Sequence, residues 1–361
     1  GITSSYTYDD KGNATSLTDG RGNTISCEYD AMGNMLTQTD AEGNTTTYTY
    51  DAVGNCTSVR DARGNQTTME YDRQGRLLSQ IDAQGNTTSY EYTDAGKLVK
   101  MTDAQGNVQN YTVDGNGFNT SESDWLGNTT TSERNAQNQV TKITDPLGNA
   151  TTYSYDDRGN MTVATDANGH STTYTYDAVG NVSTETNAKG VTTSYVYDAN
   201  YNLTSLTDAA GTSTYLYDAM DRVVGQTDRR GNTQWFRYDA IGRITAVRDK
   251  NGNLTEYIYD GNGNIVKTID ALGTEAVFTY NKNDQLISMD LHRMDTVNNV
   301  DSHEITLYEY DGRNLVTKEI NALGDSTLYV YDGNGNLVSK TDADGYVTEY
   351  SYTALDLVQS I

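Results

Sequence analysis

Aspartate at fixed intervals is the feature of this sequence with the widest chemical reach. It recurs about every ten residues, as in Asp9, Asp19, Asp30, Asp40, Asp51 and Asp61, each with glycine three places on. Carboxylates so spaced suit two roles: caging a hard cation such as calcium, or capping a turn by accepting the backbone N–H two residues on. The spacing matches neither the G-G-x-G-x-D roll nor the D-x-D-x-D-G loop with its closing glutamate. Turn capping therefore accounts for Asp, and no metal ligand is assigned. Of the three histidines, His170 falls in a turn phrase. His292 and His303 fall in a hairpin-loop insertion, 290–303, where the repeat runs nine residues over its period, near Asp290, Asp295, Asp301 and Glu304. Metal binding is one reading of that set; a solvated hairpin extension is the preferred one. No Ser, Cys or His stands in a nucleophile-elbow context, and no Gly-rich phrase precedes a helix as a phosphate loop requires. No catalytic or cofactor-binding residue is assigned, no cofactor is expected, and the chain is not expected to be an enzyme.

Composition narrows the partners. Fifty acidic against 25 basic residues give a net charge of -25, which opposes nucleic-acid phosphates and anionic lipid surfaces. Nucleic acid is excluded as an expected partner. Membrane insertion is excluded as well, because no apolar run approaches the ~20 residues that cross a bilayer. Cys27 and Cys56 replace a Tyr and an aliphatic residue of the repeat described next, and read as small hydrophobic substitutes rather than a disulfide.

The elements that place these aspartates follow from a period of 21 residues. The phrase Y-x-Y-D-x-x-G-N recurs seventeen times, with its second aromatic slot at 8, 29, 50 and onward to 352, and holds nearly all of the 29 tyrosines. A fixed period of this length marks a repeat array whose units are stable only when stacked on their neighbours. Each repeat carries two turn phrases, Y-D-x-x-G-N and T-D-A-x-G-N. The residues taken as structural are Tyr8, Asp9, Gly12; Tyr29, Asp30, Gly33; Tyr50, Asp51, Gly54; Tyr155, Asp156, Gly159; and Tyr176, Asp177, Gly180. The glycine suits the left-handed position that ends a type I turn. Where it is missing from the first turn, Asn138, Tyr201, Asp221, Asp284, Asn314 and Asp356 replace it. Five of these six are Asn or Asp, which tolerate positive φ best.

Between turns lie about six residues rich in Thr, Ser, Tyr and Val, the length and composition of a strand. A three-residue loop would set each Tyr opposite the residue six places on, which is usually aliphatic, as at Met35, Leu77 and Leu203. Asp-to-Asp steps alternate between 10 and 11 residues. With identical turns, the odd step would throw successive tyrosines onto opposite faces. Either a bulge in the T-T-x-Y-x-Y strand or a different second turn must restore them. The array should be weakest where Val113, Ser132 and Arg134 replace tyrosines and Asn119 and Asn138 replace an aliphatic and a glycine, unless Trp125, Phe118 and Val140 repack the gap. Tyrosines could also form a sugar-binding face, but stacking on the aliphatic slot is preferred. The fold class is all-β: an antiparallel hairpin strip, 1–361, expected to be one continuous array. The chain begins and ends within the pattern, so it is expected to be a segment of a longer protein.

Stretches such as YTYDAVGNCTSVRDARGNQTT (48–68) and YTYDAVGNVSTETNAKGVTTS (174–194) resemble the YD repeats of the RHS-repeat family, over essentially the whole chain. That family includes bacterial Rhs and wall-associated polymorphic toxins, the cocoon subunits of Tc toxins, and teneurins. The resemblance implies a strip of hairpins spiralling into a hollow shell that, in the toxins, encloses a C-terminal effector. It implies as partners the longer parent chain and an encapsulated effector, or surface glycans and proteins, with self-association as a further expectation. A secreted or cell-surface setting is expected, and a bacterial one because the repeats are so uniform and turn-regular. The C-terminal core box with its D-P-x-G-L motif is not recognisable; Asp145-Pro146-Leu147-Gly148 is an ordinary turn, so no autoproteolytic residue is carried over. Seventeen repeats make a strip of about 160 Å at ~4.8 Å per strand. That suffices for part of a shell wall or a turn or two of an open spiral. The alternative function is an extracellular adhesion or fibre module built as such a spiral.

Overall fold

The computed structural model describes residues 4–295, 300–353 and 357–361. Among them there is no helix, and hydrogen bonding joins 33 strands into one antiparallel sheet, with Ser351–Tyr352 and Val358–Ser360 forming a separate pair. Strands of five and six residues alternate, as in Met35–Thr39 and Thr45–Tyr50. Packing groups the chain into two units. One comprises Gly1–Tyr92, Met101–Asn107 and Tyr257–Ile361; the other comprises Thr93–Lys100 and Val108–Glu256.

The expected register is present. Tyr29 pairs with Met35, Tyr71 with Leu77, Tyr176 with Val182 and Tyr197 with Leu203. Both turns of a repeat close in the same way: the Asp9 N–H donates to the Asn13 carbonyl and the Gly12 N–H to the Asp9 carbonyl, and Asp19, Asn23 and Gly22 repeat the pattern. A different second turn is therefore not what restores the face; a bulge is. Its extra residue lies in the strand after the first turn and not in the tyrosine strand. Thr7 pairs with Ser16 and Tyr8 with Ala14, leaving Thr15 over. The bulged hydroxyl is used, since Thr7 Oγ1 lies 2.9 Å from Thr15 Oγ1 and 2.6 Å from Ser16 Oγ. One hairpin is tighter, with Asp208 paired directly to Gly211.

Backbone conformation follows the side chains. Asn138, Tyr201, Asp221, Asp284 and Asn314 all have φ between 59° and 68° in the glycine position. Asp356, the sixth replacement, lies outside the described residues. Strands Leu286–Asp295 and Val300–Tyr310 pair from Ser288 and Leu307 to Asp295 and Val300, and residues 296–299 lie outside the described residues.

A single sheet has little interior. Among the described residues only Ala246 is a buried apolar side chain, and most tyrosine slots are half-buried on one face. The second tyrosine does something the sequence does not announce: its hydroxyl donates to the backbone carbonyl of the residue in the aliphatic slot one repeat earlier. Tyr29 reaches Ala14 O at 2.9 Å, Tyr50 Met35 O at 2.9 Å, Tyr155 Val140 O at 2.7 Å and Tyr176 Met161 O at 2.6 Å. These bonds staple each repeat to its predecessor, and they favour stacking over a free sugar-binding face.

The irregular copies keep their ladder. Where Arg134 displaces tyrosine, the Ser132 hydroxyl donates to Asn119 O at 2.9 Å, and the Arg134 guanidinium lies 5.3 Å from the centre of the Phe118 ring. A serine and an exposed arginine bury less apolar surface than two tyrosines. Amides between about Tyr111 and Lys142 are therefore expected to exchange faster than those from Tyr153 to Tyr197, measured by hydrogen exchange. Equal protection would mean that the substitutes replace the tyrosines in full.

Candidate functional site: a seam of clasped turns

Each turn aspartate makes more bonds than capping requires. In the first turn, Asp9 Oδ1 accepts the N–H of Lys11 at 2.9 Å and of Asn13 at 2.8 Å, and Oδ2 accepts Asn13 Nδ2 at 2.8 Å. Asp30, Asp51, Asp156 and Asp177 are clasped in the same way by Asn34, Asn55, Asn160 and Asn181. Both carboxylate oxygens thus take part in closing the turn. Gly12, Gly33, Gly54, Gly159 and Gly180 carry the positive φ that closes these loops. His170 fills the asparagine place in its turn, with Nδ1 3.1 Å from Asp166 Oδ2. The Asn13 amide, then its backbone N–H, holds the Asp9 carboxyl below the usual carboxylate range.

Within the first unit the clasped turns meet in pairs. The second turns at Asp19, Asp40, Asp61 and Asp82 lie on the first turns at Asp260, Asn281, Asp311 and Asp332. Asn262 Nδ2 donates to Asp19 Oδ2 at 2.6 Å, Asn283 Nδ2 to Asp40 Oδ2 at 2.7 Å and Asn334 Nδ2 to Asp82 Oδ2 at 2.8 Å. Bonds also run the other way. Arg21 Nη1 donates to Asp284 Oδ1 at 2.9 Å, Arg63 Nη1 to Asp311 Oδ2 at 2.7 Å and Gln84 Nε2 to Asp332 Oδ2 at 2.7 Å. Glu42 Oε1 accepts the Lys282 N–H at 2.7 Å. The residue two places after each turn's first residue is thus the one that reaches across.

The residue one place after the turn's first residue sets how close the turns come. Gly20 and Gly261 touch backbone to backbone: a Cβ on Gly261 would stand 2.5 Å from Gly20 O. Gly312 faces Asn44 and Ala62, and Gly333 faces Ala83. A polar groove of about 560 Å³ runs along this seam between Asp40, Asn44, Asp61, Arg313 and Asn334. Arg313 lies 3.3 Å from Asp311 Oδ2 and 4.0 Å from Asp61 Oδ2. The groove presents carboxylates, amides and a guanidinium, a set suited to holding chains together rather than to acid–base work.

In repeat count the pairing is regular. The copy with its tyrosine at 8 meets the one at 259, and those at 29, 50 and 71 meet those at 280, 310 and 331. Each of these partners is twelve repeats on, and Arg21 reaches one copy further, to Asp284 in the copy at 280.

The RHS Repeat family model matches residues 8–45, 29–66, 71–108, 134–171, 159–192, 176–213, 197–233, 238–275 and 331–361. The chain belongs to the RHS-repeat family. No curated protein matches it in sequence. Among solved structures, a fold like that of this RHS-repeat chain occurs in the crystal structure of TcdB2-TccC3-TEV, with a TM-score of 0.70 at 13% identity over 98% of this chain and 24% of that one. It also occurs in the Photorhabdus luminescens Tc holotoxin pore with a mutated TccC3, with a TM-score of 0.70 at 16% identity over 99% and 24%. A TcdB2-TccC3 crystal structure matches with a TM-score of 0.55 at 14% identity over 98% and 26%. This RHS-repeat chain thus spans about a quarter of those proteins, and the likeness is one of fold. Its described residues contain no helix long and apolar enough to cross a membrane.

The seam carboxylates make stability depend on pH. Burial pushes Asp19 up, but hydrogen bonds from Asn262 and from the Asn23 backbone and amide outweigh it and hold the carboxyl at about 2. Asp40, Asp82, Asp260 and Asp311 are likewise lowered against burial, by amide and backbone donors and, at Asp311, by Arg63. A carboxyl lowered on folding stabilises above its unfolded value of ~3.9, and that contribution vanishes as pH falls through the folded value. The thermal midpoint is therefore expected to fall between about pH 4 and pH 2 at constant ionic strength. A flat profile across that window would show that these bonds do not hold the seam.

Proposed function

We propose that the chain is a non-enzymatic length of wall: part of a β-shell that encloses an effector carried by its own longer protein, in a secreted or surface bacterial toxin. In this reading 1–361 is one continuous array, and its YD turns serve structure alone. The seam carries the reading. Hydrogen bonds between repeats twelve apart are what a strip needs to become a wall, whereas an open spiral has no use for them. The fold shared with a Tc holotoxin pore supports the same view. So do the aspartates, whose carboxylates are engaged in turn bonds and in bonds across the seam.

The test uses the parent protein with its flanking sequence. Under limited proteolysis, the segment following the array is expected to resist cleavage while the wall is intact and to be cut once a seam substitution opens it. Electron cryomicroscopy is expected to show cargo density inside the wall. Flanks that hold only further repeats, with open helical density and no lumen, would overturn the reading in favour of an extracellular adhesion or fibre module.

A further inference from the structure

The insertion carries side chains that the repeat does not need. In its hairpin His292 stands opposite His303 and Met294 opposite Asp301. Alternation along strands then sets Asp290, His292, Asp301 and His303 on one face. Glu275 of the neighbouring strand Glu275–Tyr280 pairs with His292 and shares that face. The two imidazoles lie face to face, with ring centres 4.6 Å apart and planes 6° from parallel.

The nitrogens are sorted by their partners. His303 Nδ1 lies 2.8 Å from Asp290 Oδ2, and His292 Nδ1 lies 3.7 Å from Glu275 Oε2. At His303 the carboxylate within hydrogen-bond reach keeps the proton on Nδ1 and leaves the Nε2 lone pair free, while Glu275, paired with Lys267 at 2.6 Å, adds only its charge beside His292. Both Nε2 atoms turn towards one oxygen, Asp301 Oδ1: that of His303 at 3.7 Å, with His292 Nε2 against it. His292 Nε2 is shielded from solvent, and its close approach to that oxygen lacks the direction of a hydrogen bond. The three atoms lie within 4.8 Å of one another. Two imidazolium rings stacked this closely repel, with only the surrounding carboxylates to offset them, whereas one metal ion shared by both rings uses the shielded nitrogen that no hydrogen bond satisfies.

We propose that His292, His303 and Asp301 bind a divalent transition metal of the zinc class through Nε2, Nε2 and Oδ1, with Asp290 orienting the His303 ring. Zinc takes imidazole nitrogen at ~2.0–2.1 Å and carboxylate oxygen at ~2.0–2.2 Å, so tetrahedral ligand atoms stand roughly 3.4 Å apart. Small rotamer adjustments bring the three atoms to that spacing. Imidazole ligands select zinc, copper or nickel over calcium and magnesium, which prefer oxygen. Three protein ligands leave a fourth position for water or a donor from a partner.

Zinc titrated calorimetrically into the purified chain is expected to bind once per molecule, and cobalt to give the visible absorption of a tetrahedral site. His292→Gln and His303→Gln, which keep size and polarity, should each weaken binding at least ~100-fold, and Asp290→Asn about 10–100-fold, the usual range for a carboxylate behind a ligating histidine. His170→Gln should change nothing, and excess calcium should not compete. Circular dichroism of each variant separates a lost site from a lost fold. The absence of saturable zinc binding, or equal binding by the His292→Gln/His303→Gln double variant, would overturn the proposal and leave a solvated hairpin.

Discussion

Gly261→Val is expected to open the seam while leaving every hairpin intact. Gly20 and Gly261 meet through their backbones, and a side chain on either enters the other's carbonyl, where nothing flexible can yield. Neither is among the glycines with positive φ, so the demand comes from close approach and not from turn geometry. Overpacking against rigid neighbours costs about 1–3 kcal/mol. The same displacement also strains the bonds from Asn262 to Asp19 and from Arg21 to Asp284. Hydrogen exchange should show lost protection in the turns at Asp19, Asp40, Asp260 and Asn281 together. The regular strands Ser171–Tyr176, Val182–Thr186 and Thr192–Tyr197 should keep their rates. Gly115→Val is the control, since that glycine has the same place in its turn and open space around it. Unchanged protection in Gly261→Val would mean that the turns merely touch.

Tyr176→Ala should cost about 2–3 kcal/mol, and Tyr176→Phe about 1 kcal/mol. The alanine variant loses the half-buried ring against Val182 as well as the bond to Met161 O, so it falls below the ~3–5 kcal/mol of a fully buried aromatic. The phenylalanine variant keeps the ring and loses only the hydroxyl, which leaves a carbonyl short of one donor. Denaturant unfolding measures the difference, and hydrogen exchange should place the damage in the two repeats that the hydroxyl joins. Equal stability of the phenylalanine variant and the parent would remove the staple from the account.

Strand pairing is legible in the sequence because Asp, Gly and Tyr each carry a local rule. Asp begins a turn, Gly or Asn ends it, and a three-residue loop then dictates that Tyr29 faces Met35. The place of the bulge is not legible, since Thr15 is as good a strand residue as Thr7 and either strand can carry the extra residue. The tyrosine staple is hidden for a different reason: its acceptor is a backbone carbonyl, which every residue has. The seam leaves only a faint trace, in the glycines at 261, 312 and 333. Gly115 shows why that trace misleads, for it occupies the same place and touches nothing. His292 and His303 become neighbours only through the register of the insertion, which sets them opposite each other.

The constancy of the twelve-repeat partner bears on how such a chain tolerates change in length. Between the copies at 29 and 280 the hairpin at Asp208 is one residue short, and before the copy at 310 the insertion adds nine, yet each second turn still finds the equivalent first turn. Partners are matched by ordinal position, as teeth are matched on a wheel, and the number of residues within a tooth is immaterial. Gains and losses inside a hairpin are therefore free to accumulate, and a loop can acquire new chemistry without disturbing its neighbours. Duplicating or deleting a whole repeat is another matter. It would bring Asp19 against the turn of a different copy and change every pairing along the seam at once.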